Sequence, residues 1–201
     1  MPRSPPRQPG SGDVAAICVF CASSSTLERR YLDLAARTGK ALAARGHTLV
    51  SGGGCVGMMG ALAVAARAGG AHTLGVIPQA LVDLEVADAA ADELIVTADM
   101  GKRKDLMIER SDAFITLPGG LGTLDELFEV WTTATLDLHS KPIVVLDPDG
   151  FYTGLLTWLT RLAETAFVRR EALEAITVVT TIPAALDLID GKRPGVPSTD
   201  D

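Results

Sequence analysis

Nowhere in the 201 residues does an apolar run approach the ~18 that a membrane span requires, and the N-terminus lacks the apolar core of a signal peptide. No membrane association is expected, and the expected location is the cytoplasm. Positive charge is also scarce. Eighteen Lys and Arg stand against 25 Asp and Glu, a formal net charge of −7, which argues against a general nucleic-acid or anionic-lipid surface. Any phosphate the chain holds must meet positive groups concentrated in one place. Cysteine is sparse and odd in number: Cys18, Cys21 and Cys55. Cys18 and Cys21 form a lone C-x-x-C, but Cys18 sits inside an apolar run and no second pair or His-x-x-x-His completes a zinc site. Structural thiols are expected. The three histidines, His47, His72 and His139, are scattered and suggest no ligand set.

What remains is ordinary for a soluble globular chain: 47 % hydrophobic and 21 % charged residues, in a length that can bury a substantial core as one domain. Residues 1–13 are rich in Pro, Ser, Gly and Arg without periodicity and read as a disordered lead-in; 191–201 have the same character. Between them, over 14–190, strands and helices alternate. The apolar runs 14–20, 48–51, 73–77, 93–96, 113–117, 142–146 and 176–180 read as strands, several of them apolar throughout, as when both faces are covered. Helices are expected from a Ser25/Glu28 capping box to about 45, then over 58–68, 100–110 (capped by Asp99), a stretch after 122, 152–164 and 183–189. Repeated β-then-α order predicts an α/β fold: a doubly wound, Rossmann-like parallel sheet with helices on both faces. Ligands of such folds sit beyond the carboxyl ends of the strands, where both glycine-rich turns fall.

The first turn, Gly52-x-Gly54-x-x-Gly57, formally matches the dinucleotide fingerprint. The following strand, however, ends in Ile77-Pro78-Gln79, with no acid to hold a ribose, so a small-residue turn or a mononucleotide wall fits better than NAD. The second turn is more telling. A strand feeds an amphipathic helix through Gly119-Gly120 and Gly122, and Leu124, Leu127, Phe128, Trp131, Thr135 and Leu138 keep helical spacing after it. Bare N–H groups at a helix N-terminus, with the dipole behind them, are suited to a phosphate.

Two side chains near these turns carry chemistry. On the 100–110 helix Arg103 shares a stripe with Met100, Met107 and Arg110, so it faces inward and requires an anionic partner, a structural carboxylate or a ligand. Glu126 stands three residues after Thr123, the spacing of a capping box, yet it also begins a polar stripe with Glu129 and Thr132 beside the phosphate-ready turn. A carboxylate beside a bound sugar phosphate could activate water or stabilise positive charge on the ring.

Pro118-Gly119-Gly120-x-Gly122-Thr123-x-x-Glu126, preceded by Met100-x-x-Arg103-Lys104, resembles the paired signature of the LONELY GUY family of cytokinin riboside 5′-monophosphate phosphoribohydrolases, often mislabelled lysine decarboxylases. The likeness runs from about 14 to 189 and includes Phe20-Cys21-Ala22-Ser23-Ser24 and the turn from Gly52 to Gly60; Ser51, Cys55 and Ala22 depart from the common pattern. The resemblance implies hydrolysis of a nucleoside 5′-monophosphate to free base and ribose 5-phosphate, without metal or cofactor, in a homodimer. It implies Arg103 and Glu126 as the catalytic pair. Substrate contacts are implied at Glu85, Arg103, Lys104, Gly119, Gly120, Leu121, Gly122, Thr123, Asp125, Glu126 and Thr132. Two other functions remain open on the residues: a nucleotide or cofactor carrier using the same turn without hydrolysis, and a decarboxylase. The last requires a pyridoxal lysine or another electron sink, and Lys104 lies instead in a phosphate-handling motif.

Overall fold

The computed structural model describes residues 14–84 and 86–191; the expected tails at 1–13 and 191–201 lie outside it except for Gly191, which ends the last helix. Among the described residues, β1 (Ala16–Phe20), β2 (Thr48–Ser51), β3 (Thr73–Pro78), β4 (Glu93–Thr97), β5 (Ala113–Thr116), β6 (Ile143–Leu146) and β7 (Thr177–Val179) form one sheet, ordered β4-β3-β2-β1-β5-β6-β7. Every pairing is parallel. From β1 the chain winds outward to β4, then crosses back so that β5 lies on the other side of β1, with Ile17 opposite Ala113 and Phe20 opposite Thr116. The switch in winding direction leaves a crevice above the carboxyl ends of β1 and β5.

Alternation along the central strands divides the core in two. Ile17, Val19, Ile115 and Leu49 face one side, covered by α1 (Arg29–Ala44), α2 (Gly57–Ala68) and α8 (Ile182–Gly191). Cys18, Phe20, Phe114 and Val145 face the other, covered by α4 (Met100–Glu109), α5 (Leu121–Thr135) and α6 (Thr153–Glu164). Phe20 and Phe114 stack there at 5.9 Å. The doubly wound, Rossmann-like sheet expected from the β-then-α order is therefore the one observed. Among the described residues no helix is long and apolar enough to cross a membrane.

Most boundaries fall within a residue or two of the sequence expectation, and three differences have a clear physical cause. The Ser25/Glu28 capping box does not form: α1 starts at Arg29, and Glu28 makes no side-chain cap. The preceding turn must first pass the start of α2, whose Met58 and Met59 amides donate to the Ala22 carbonyl. β3 runs through Pro78 rather than stopping before it, because β2 pairs with β3 only as far as Gly75 and no ladder bond is lost on that side. α5 ends at Thr135. Asp137 takes a left-handed φ of 57°, and the Asp137 and Leu138 amides donate to the Ala134 and Thr133 carbonyls, so Leu138 closes the helix end instead of continuing its apolar stripe. Two further helices, α3 (Gln79–Val82) and α7 (Arg170–Glu174), are shorter than any periodicity window and leave no signal in the sequence pattern.

α1 and α2 cross so closely that a Cβ on Gly39 would stand 2.3 Å from the Leu62 carbonyl oxygen. Alanine would add at most about 1 kcal/mol of helix propensity there, against about 1–3 kcal/mol for overpacking a backbone contact. Gly39→Ala is therefore expected to lower the unfolding free energy, measured by urea titration, despite the better helix former.

Candidate active site

The carboxyl ends of β1, β2, β3 and β5 enclose a cleft of about 500 Å³, within the range of roughly 300–1,000 Å³ typical of small-molecule sites. Its three parts come from different stretches of chain.

At one end lies the glycine turn. Gly120 is the N-cap of α5 in extended conformation, with no side-chain cap, and Gly120, Leu121, Gly122 and Thr123 line the cleft together with Ser23 and Ser24. The first N–H groups of a helix have no intrahelical acceptor, so this end presents donors and the positive end of the α5 dipole. Gly119 lies behind the turn, not in the cleft lining. The Tyr152 hydroxyl, buried, donates to the Leu117 carbonyl at 2.8 Å and faces the Gly119 amide. Burial pushes that phenol up, so it stays a donor. Tyr152 is itself held by Asp147, whose carboxylate accepts the Phe151 and Tyr152 amides at 2.6 and 2.9 Å.

The floor is a buried ion pair. α4 starts where Asp99 caps it, accepting the Lys102 amide at 2.8 Å, and this start turns Arg103 inward. Arg103 Nη1 meets Glu126 Oε1 at 2.8 Å, with side-chain exposures of 5 % and 6 %. Arg103 Nε donates to the Val76 carbonyl at 3.0 Å and Nη2 reaches the Gly52 carbonyl at 3.5 Å. The inward arginine thus has the anionic partner its position demands. Because α5 begins at Leu121, three residues earlier than a Thr123 cap would require, Glu126 falls in the second turn and does not cap. Burial raises the Glu126 pKa, and the Arg103 guanidinium works against that rise.

The opposite wall is apolar, formed by Val56, Met59, Ile77, Leu81, Leu84, Val86 and Met100. Part of it is a loop that docks back on the first glycine turn. Cys55 N–H donates to the Val86 carbonyl and Asp88 N–H to the Gly53 carbonyl, both at 2.8 Å, and Arg67 grips the Asp88 carboxylate at 2.7 Å. Glu85 falls outside the described residues. Sequence reasoning does not find the wall, since no motif marks it: its members come from several elements and meet only in the fold. It does not find Tyr152 for the same reason.

Other expected contacts stand elsewhere. Lys104 points away from the cleft and binds Asp125 and Glu129, each at 3.0 Å, latching α4 to α5; Glu129 above all raises its pKa. Thr132 is exposed on α5, in a separate groove beside Trp131 and Leu159. Cys18 and Cys21 are buried, free and on opposite sides of the sheet; burial, then the Glu126 charge, pushes both thiols up, which suits the structural role expected of them.

A parallel sheet with a switch point, a donor-lined helix start and a buried arginine–glutamate pair define a Rossmann-like protein with a phosphate-ready cleft. The family model described as "Possible lysine decarboxylase" matches residues 59–189. A cytokinin riboside 5′-monophosphate phosphoribohydrolase of Mycobacterium marinum is 53 % identical over 179 residues, covering 89 % of this chain and 94 % of that protein. One of the same name from Mycobacterium tuberculosis is 54 % identical over 170 residues, covering 85 % and 90 %. This chain belongs to the LONELY GUY family. Among solved structures, the molybdenum cofactor carrier protein of Chlamydomonas reinhardtii superposes with a TM-score of 0.68 at 22 % identity, over 89 % of this chain and 98 % of that one. At that identity the likeness is one of fold alone.

Two measurements test the site as built. Tyr152→Phe removes the donor to Leu117 without changing shape, and a loss of about 1 kcal/mol is expected in urea unfolding. For Glu126, a pKa raised by folding means that its contribution to stability is complete below the unfolded-state value and is lost as pH rises through the folded one. Glu126→Gln cannot titrate, so it should gain stability relative to the unsubstituted chain as pH rises through that window, read from Tm between about pH 4 and about pH 8.

Proposed function

We infer that this chain hydrolyses the N-glycosidic bond of cytokinin riboside 5′-monophosphates, and of AMP as well, releasing free base and ribose 5-phosphate. The observation that carries the reading is the Arg103–Glu126 pair, buried at the floor of a cleft with phosphate donors at one end and an apolar wall at the other. The relatives' names match that arrangement.

The 5′-phosphate is placed on the N–H groups at the start of α5, which sets the ribose over Glu126 and the base against the wall of Met59, Ile77, Leu81 and Leu84. As the C1′–N bond breaks, its electrons leave with the base and positive charge develops on the ribosyl ring. The ionised Glu126 stabilises that charge and takes a proton from the attacking water, whose oxygen bonds to C1′; the departing base takes up a proton from solvent, and Glu126 returns its own to solvent as the products leave. Arg103 keeps Glu126 ionised in a buried place and polarises the leaving side. Lys104 is assigned to holding α4 against α5, with Asp125 and Glu129, not to touching the nucleotide directly. No step calls for a metal, a redox cofactor or pyridoxal.

The chain is proposed to act as a homodimer in the cytoplasm. Thr132, on the outer side of α5, could meet a nucleotide only in a partner's cleft, and exposed Leu121, Leu136, Leu138 and Phe167 lie on or near that helix. The acidic charge supports a chain that binds free nucleotide and not nucleic acid.

The test is to incubate the purified protein separately with AMP and isopentenyladenosine monophosphate and quantify free base by chromatography. Release is expected, falling by at least about 10²–10³ in Arg103→Ala and in Glu126→Ala. Nucleotide binding without release would support the carrier function instead.

A further inference from the structure

Arg103 works only if its guanidinium stays where it meets Glu126, and the fold reserves room for it at one point. An ideal Cβ on Gly52 would stand 1.9 Å from Arg103 Nη2 and 3.0 Å from Cζ. The guanidinium therefore lies against the bare α-carbon of Gly52, in the volume any side chain there would fill. The next residue, Gly53, has a φ of 71°, and there the backbone itself favours glycine; Gly52 is not among the residues with positive φ. At 52 the backbone would accept alanine, and only the space is refused. The refusing atoms end flexible side chains, Arg103 first and then Met59, whose Cε would stand at 3.1 Å, so the arginine, not the backbone, would give way most. In moving it would leave Glu126 Oε1, the Val76 carbonyl and the Gly52 carbonyl together.

We propose that Gly52 is a positioning residue for the hydrolytic reaction: its missing side chain is the seat that holds Arg103 against Glu126. The inference rests on the phosphoribohydrolase reading and adds to it a residue that acts through Arg103. It also explains a glycine at the end of β2 that the dinucleotide fingerprint leaves without a ligand.

Three full-length variants test it: Gly52→Ala, Arg103→Ala and the double. Base release from isopentenyladenosine monophosphate should fall about 10²–10³-fold in Gly52→Ala, as for loss of one electrostatic contact. The double should be no slower than Arg103→Ala, because the methyl then meets only the flexible end of Met59, which can give by a few tenths of an ångström. The acid limb of the rate profile of Gly52→Ala should move to higher pH, since Glu126 loses the cation that favours its ionised form; a general loosening would lower the rate without moving the limb. A rate for Gly52→Ala close to that of the unsubstituted chain would overturn the proposal, as would losses that multiply in the double, which would mean that the methyl blocks the nucleotide. If Gly52→Ala does not fold, the double should fold as Arg103→Ala does, and a double that fails where Arg103→Ala folds would place the conflict in the backbone and end the idea. If the unsubstituted chain releases no base, the functional reading fails by itself. The seat is then judged from a crystal structure of Gly52→Ala, where a displaced guanidinium upholds it and an intact Arg103–Glu126 contact refutes it.

Discussion

A guanidinium and a carboxylate 2.8 Å apart, nearly sealed from water, form the contact on which the rest of this site depends. Taking both charges out of water costs several kcal/mol each, and their attraction offsets this only when the remaining polar atoms are also satisfied. Here the guanidinium's other N–H groups meet carbonyls, supplied by parts far apart in the chain. Asp99 starts α4 so that Arg103 turns inward, the glycine cap starts α5 so that Glu126 does, and the ends of β2 and β3 supply the carbonyls of Gly52 and Val76. Lys104 with Asp125 and Glu129 repeats the α4–α5 link one layer out, in contact with solvent, where such pairs contribute less.

The cleft grades from donors to charge to apolar wall because each portion ends a different strand of one parallel sheet. In such a sheet the carboxyl ends point the same way, and the switch in winding between β1 and β5 keeps any helix from covering them. This arrangement also reconciles a net charge of −7 with a phosphate site. The donors at the start of α5 are backbone N–H groups, which add nothing to the net charge, and Tyr152 holds the turn that aims them.

The same sheet is shared with molybdenum cofactor carrier proteins at 22 % identity, so architecture alone separates neither a carrier from a hydrolase nor either from a decarboxylase. Family membership rests on the chain's relatives, and the chemistry on what stands at the cleft floor. A lysine bonded to two carboxylates outside the cleft is poorly placed for the decarboxylase that the family model's description suggests.

Much of this architecture is legible in the amino-acid sequence by itself. Strand runs apolar throughout signal a sheet covered on both faces, β-then-α order signals parallel winding, and the inward stripe through Arg103 calls for an acid partner. Those features are local, set by period and by the cost of an unpaired charge. Tertiary structure alone decides four matters: which acid Arg103 meets, that Glu126 does not cap, that Lys104 turns outward, and that Leu81, Leu84 and Val86 join Met59 in one wall. Each turns on a helix start displaced by three residues or on segments brought together across the sheet. The pairing of Gly52 with Arg103 is the plainest case. The backbone at 52 would accept alanine, and only packing 51 positions away in the chain makes the absence of a side chain matter.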